Sequence, residues 1–117
     1  MGRLLIVDDN SSLCFLLKEF FEMDGFEVMT CSDISGIENR FSEFLPDIGL
    51  FDIHVGKNDI LMYLNRLMHI YPDTELVLMS ADEPDETFKD YTFIMKPFDI
   101  FKLKDLIKKK LKGNLIV

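Results

Sequence analysis

Several things are scarce in this sequence, and each scarcity closes a class of function. Only two cysteines occur in 117 residues, Cys14 and Cys31, which form neither a disulfide framework nor a zinc-ligand pattern. Both fall in apolar segments and read as small core residues. Positive charge is short: 13 Lys and Arg face 21 Asp and Glu, a formal net charge of −8. That balance opposes a phosphate backbone, so direct binding to nucleic acid is not expected. No apolar run approaches the ~20 residues of a membrane helix. The opening Leu4-Leu5-Ile6-Val7 is too short for a signal peptide, so a cytoplasmic protein is expected. Internal repeats, low-complexity segments and a Gly-rich phosphate loop are all absent, the last arguing against a nucleotide or flavin site.

What remains is a soluble composition, 48% hydrophobic and 29% charged, of a length suited to one domain over residues 1–117. Short apolar runs alternate with longer helical periods. Leu4 to Val7 reads as a strand buried on both faces. Asn10, Ser11 and Ser12 can cap a helix carrying Leu13, Leu16, Leu17, Phe20 and Phe21, with Gly25 as its stop. Phe26 to Cys31 reads as a second strand. Asp33 can cap a helix presenting Ile34, Ile37, Phe41 and Phe44, ended by Pro46. Ile48 to Phe51 is a third strand, followed by a stripe of Ile60, Leu64, Leu67, Met68 and Tyr71. Glu75 to Met79 and Thr92 to Met95 are strands four and five. A last helix from about Asp99 presents Ile100, Leu103, Ile107 and Leu111 and stops at Gly113.

This alternation implies βαβ crossovers and a doubly wound five-stranded parallel α/β sheet. One crossover is thin. Residues 81–90 hold one large apolar residue, Phe88, and a proline, so a helix there has one or two turns or is replaced by a loop.

In an open parallel sheet, sites form at the carboxyl ends of the strands. Here four of those ends carry polar residues: Asp8-Asp9, Asp52, Ser80 and Lys96. Three converging carboxylates repel one another, which a divalent cation relieves, and Mg²⁺ takes oxygen ligands. Lys96 can pair with a carboxylate or with a phosphoryl oxygen, and Ser80 can donate to the same group. A carboxylate can also attack phosphorus to give an aspartyl phosphate. Taken singly, each residue has an ordinary reading: Asp8 and Asp9 as helix caps, Asp52 as a loop acid, Ser80 as a plain serine. Topology links all four.

These segments resemble the receiver domain of two-component response regulators, in order and across essentially the whole chain. Leu4 to Asn10 is similar to the family's opening strand and acid pair. Pro46 to Asp52 resembles the strand carrying the phosphoacceptor, Ser80-Ala81 the switch hydroxyl and its small neighbour, and Lys96-Pro97-Phe98 the lysine motif. The resemblance implies a flavodoxin-like sheet of strand order 2-1-3-4-5. It implies phosphorylation of Asp52 by a histidine kinase or phosphotransfer protein, and an enzyme only in catalysing its own phosphorylation and dephosphorylation. Mg²⁺ is then held by Asp9, Asp52 and the His54 backbone carbonyl, with Asp8 reaching it directly or through water. Ser80 and Lys96 contact the phosphoryl group, and Phe93 falls at the aromatic switch position, where it also reads as a plain core residue. His54 and Asp82 occupy positions that tune hydrolysis of the aspartyl phosphate.

The sequence departs from the family in two places. Residues 53–60 lack the usual proline and methionine, which leaves a more mobile loop around Gly56. The thin 81–90 segment alters the surface of the family's fourth helix, fifth strand and fifth helix. Dimerisation by that surface is therefore not expected, and a downstream protein effector is met by another face or by the last helix. The terminal Lys108-Lys109-Lys110-Leu111-Lys112 complements a helix dipole or offers a patch to an acidic partner. The alternative to a phosphorylated switch is a degenerate receiver, an interaction module that works without phosphorylation.

Overall fold

The computed structural model describes residues 2–55 and 60–115. The order of elements is β1 (Arg3–Val7), α1 (Ser11–Met23), β2 (Glu27–Cys31), α2 (Ile37–Phe44), β3 (Ile48–Asp52), α3 (Ile60–Ile70), β4 (Glu75–Ser80), a single 3-10 turn (Glu86–Phe88), β5 (Thr92–Met95) and α4 (Ile100–Leu115). The five strands pair in parallel in the order β2-β1-β3-β4-β5, the order implied by the family resemblance. The apolar runs are the reason. Leu4 to Val7 and all five residues of β3 are buried, as a strand covered by helices on both sides requires.

Alternate residues feed two separate cores. Leu5, Val7, Phe51 and Leu78 point toward α2 and α3, where Phe41, Leu64 and Leu67 close the layer. Leu4, Ile6, Leu50 and Met79 meet Leu17 and Phe21 of α1 and Leu103 and Ile107 of α4. Gly49 makes room within the first core. A Cβ built there lies 2.6 Å from the Phe51 ring and 3.1 Å from Leu76, and the Phe51 side chain is fully buried. Gly49→Ala is therefore expected to destabilise the fold by about 1–3 kcal/mol, read by chemical denaturation.

The helix ends show where local chemistry overruled the periodic pattern. Asn10 caps α1, its side chain accepting from the Leu13 N–H at 3.0 Å. Gly25 follows that helix at φ 93°, a conformation glycine adopts without strain. Asp33, expected to cap α2, does not. Its carboxylate instead accepts from the N–H and hydroxyl of Ser35, at 3.0 and 2.6 Å, closing a turn ahead of the helix. The helix starts one turn later with Gly36 at the cap, and Ile34 is buried from the turn. Leu45 ends α2 in the left-handed conformation (φ 50°), its N–H still donating to Phe41 O at 2.9 Å, and Pro46, which has no N–H to give, cannot continue the helix. Gly113 does not stop α4, which continues to Leu115. A mid-helix glycine costs only about 1 kcal/mol, too little by itself to end sixteen residues of helix. Lys108, from the lysine-rich end, pairs with Asp24 at the end of α1 at 2.8 Å.

The thin crossover is a single 3-10 turn, as its composition suggested. Asp85 caps it, accepting from the Thr87 N–H at 2.8 Å. Phe88 is its one large apolar side chain and packs edge-on to Phe93 of β5 at 6.0 Å. With so little covering it, no residue of β5 is fully buried.

Candidate functional site

Parallel register brings the strand ends to one edge. Val7 pairs with Phe51, Asp52 with Met79, and Ser80 with Met95. The next residues continue the ladder: Asp8 N–H donates to Cys31 O at 3.1 Å, and Lys96 N–H to Ser80 O at 2.7 Å. Asp8, Asp9, Asp52 and Lys96 therefore converge although 88 residues separate the first from the last.

Lys96 sits between two acids. Its Nζ donates to Asp8 Oδ2 at 2.7 Å and to Asp52 Oδ2 at 2.9 Å. The other oxygens are held by backbone amides, Asp8 Oδ1 by Asn10 N–H at 2.9 Å and Asp52 Oδ1 by His54 N–H at 2.8 Å. Asp8 is fully buried, Asp52 nearly so, and Asp9 exposed. One carboxylate oxygen from each of the three lies within 4.8 Å of the others. Burial alone would depress the Lys96 ammonium. Hydrogen bonds to Asp8 and Asp52, with the charges of both, outweigh that and hold it above the ordinary lysine value.

Three carboxylates and one ammonium leave two negative charges uncompensated. The donor set is all hard oxygen, open to solvent on the Asp9 side, which suits a small divalent cation such as Mg²⁺.

The other expected residues reach this edge with different engagements. Ser80 is fully buried, but its hydroxyl donates to Asp82 O at 2.6 Å and accepts from Asp82 N–H at 3.1 Å. It is tied to the following loop and not to the carboxylates. The backbone of His54 holds Asp52 while its side chain is exposed. Phe93 lies on β5 opposite Leu78, half-buried against Phe88, outside the acid cluster. Of the loop expected to be mobile, residues 53–60, the central 56–59 lie outside the described residues, while the Ile53 N–H donates to Met79 O and the Val55 N–H to Asp52 O.

Sequence reasoning missed the support beneath the acids. Cys14 donates its thiol to Asp8 O at 3.3 Å. Burial, then the charge of Asp8, pushes that thiol up to about 11, so it stays protonated and unreactive. Its place four residues after the Asn10 cap, facing inward from the first turn of α1, was the available signal.

Comparison with known proteins decides the family. The response regulator receiver domain model matches residues 4–108. The chain belongs to the response regulator receiver family. Among relatives, the receiver is 30% identical over 122 residues to the chemotaxis protein CheY of Listeria monocytogenes, covering 96% of this chain and 100% of that protein. It is 27% identical to sporulation initiation phosphotransferase F of Bacillus subtilis, covering 96% and 97%. Against the regulatory protein AtoC of Escherichia coli it is 26% identical over 96% of its own length, but spans only 26% of AtoC. Two solved structures share the fold: a CheY-like receiver domain protein from Methanospirillum hungatei (TM-score 0.90, 22% identity, 97% and 96% covered) and the response regulator TrrA from Thermotoga maritima, solved with Mg²⁺ and beryllofluoride (0.83, 24%, 94% and 99%).

Proposed function

We propose that residues 1–117 act as one phospho-accepting receiver in the cytoplasm, with Asp52 as the acceptor. The donor is the phosphohistidine of a histidine kinase or phosphotransfer protein, and the output is a changed contact with a downstream protein. The observation that carries this reading is the Lys96 ammonium bridging Asp8 and Asp52 beside the exposed Asp9.

An oxygen of Asp52 forms the new bond to phosphorus while the donor's N–P bond breaks and the imidazole departs with its electron pair. Asp52 Oδ1 stays fixed by the His54 amide, so the carboxylate cannot rotate away. Lys96 can pass from Asp52 Oδ2 to a phosphoryl oxygen while keeping Asp8 Oδ2, so its charge follows the transferred group. Asp8, Asp9, Asp52 and the His54 carbonyl would hold Mg²⁺, which when bound neutralises charge on the phosphoryl oxygens. Ser80 reaches the phosphoryl group by giving up Asp82, which releases the start of the 81–91 loop. Phe93 is then free to repack against Phe88. A single 3-10 turn stands in the place of the family's fourth helix, so dimerisation through that surface is not part of this reading.

Beryllofluoride with Mg²⁺ mimics the aspartyl phosphate. Adding both is expected to shift the amide NMR resonances of Ser80, Ala81 and Asp82 in the wild type and leave them in place in Asp52→Asn. No shift in the wild type would favour a module that works without phosphorylation.

A further inference from the structure

A second cleft opens on the β2 side of the same sheet edge, between α1 and α2. Its volume is about 260 Å³. Cys14 and Cys31 form its floor, and Ser11, Phe15, Lys18, Thr30, Ser32 and Arg40 its sides and rim. Acids outnumber bases 21 to 13 in the whole chain, yet this lining holds two cations and no acid. Arg40 makes no ion pair within 4 Å among the described residues and acts on the Asp33 carboxylate only weakly, and Lys18 meets Glu22 at 3.9 Å, so either head can turn to a new anion. Three hydroxyls stand beside them. Phe15, 67% exposed, contributes an aromatic face with no ring or cation partner among the described residues.

We infer that this cleft binds a small organic phosphomonoester carrying a flat ring, its phosphate between Lys18 and Arg40 and its ring on Phe15. A guanidinium and an ammonium on the rim of one cleft can both bond an anion seated between them, and the Ser11, Thr30 and Ser32 hydroxyls of the same lining can complete its oxygens. An exposed aromatic ring at the rim is a stacking platform. The floor leaves the anion to the cations and hydroxyls: Cys31 donates its thiol to Asp33 O at 2.8 Å, and Cys14 donates to Asp8 O at 3.3 Å. The site is distinct from the Lys96 bridge and does not depend on phosphorylation of Asp52.

Phenyl phosphate titrated into the full chain, followed by amide NMR, tests this. Saturable shifts are expected at Ser11, Thr30 and Ser32, with inorganic phosphate binding more weakly and phenol not at all. Lys18→Gln with Arg40→Gln should weaken phenyl phosphate by on the order of tenfold or more. Phe15→Ala should weaken phenyl phosphate but not inorganic phosphate. All three positions are on the surface, and the unliganded spectrum reports directly that the variants fold. Absence of saturable shifts, shifts centred on Asp52 and Lys96, or affinity unchanged in the double variant would each overturn the inference.

Discussion

Replacing Lys96 by Met is expected to destabilise the protein by about 3 kcal/mol when no divalent cation is present. The substitution keeps the apolar stem but removes the ammonium, stranding the fully buried Asp8 carboxylate with, among the described residues, the Asn10 amide as its one remaining hydrogen-bond partner. Breaking a buried pair from one side costs far more than a surface ion pair is worth, because the remaining charge is left desolvated. Mg²⁺ should restore part of the loss, about 1.4 kcal/mol at ten times its Kd, and should bind more tightly to the variant, with no lysine competing for the oxygens. The pH dependence follows from the raised Lys96 value. Its contribution is complete below the unfolded lysine pKa of about 10.4 and disappears as pH rises through the higher folded value. Wild type and variant should therefore converge in stability in strong alkali. Urea melts with and without Mg²⁺ at neutral and alkaline pH measure all three effects.

Asp9→Asn is expected to weaken Mg²⁺ binding by about tenfold or more while leaving the fold intact. Asp9 is the exposed member of the three-carboxylate group, outside the Lys96 bridge. Its removal thus leaves the buried ion pairs in place and relieves some like-charge repulsion. The two effects have opposite signs, and that separates them. Without metal the variant should be as stable as the wild type or slightly more so, whereas added Mg²⁺ should raise its melting temperature less. Equal Mg²⁺ affinity in both proteins would show that Asp9 is not a ligand.

Much of this site was legible because topology did the convergence. Once Leu4 to Val7, Ile48 to Phe51, Glu75 to Met79 and Thr92 to Met95 were read as parallel strands, their carboxyl ends had to share an edge. The polar residues there had to meet. The weak 81–90 crossover was equally legible, since one phenylalanine cannot anchor a long helix. Which residue would cap its turn was not, because Asp82 and Asp85 both carry a capping side chain and only Asp85 is so placed. The start of α2 was misread for a similar reason. Asp33 has the chemistry of a cap, but Ser35 two residues on offers its carboxylate a tighter local turn. The engagement of Ser80 with the Asp82 backbone left no trace in the pattern, since main-chain partners carry no residue signature. The same holds for the Cys14 thiol on Asp8 O.

The most direct test of Asp52 as the acceptor is intact-mass measurement after incubation with a small phosphodonor and Mg²⁺. One phosphoryl group is expected on the wild type, labile to base as an acyl phosphate is, absent without Mg²⁺ and absent from Asp52→Asn. A phosphoryl group retained by Asp52→Asn, or none on the wild type while Mg²⁺ binding is demonstrated, would contradict the account.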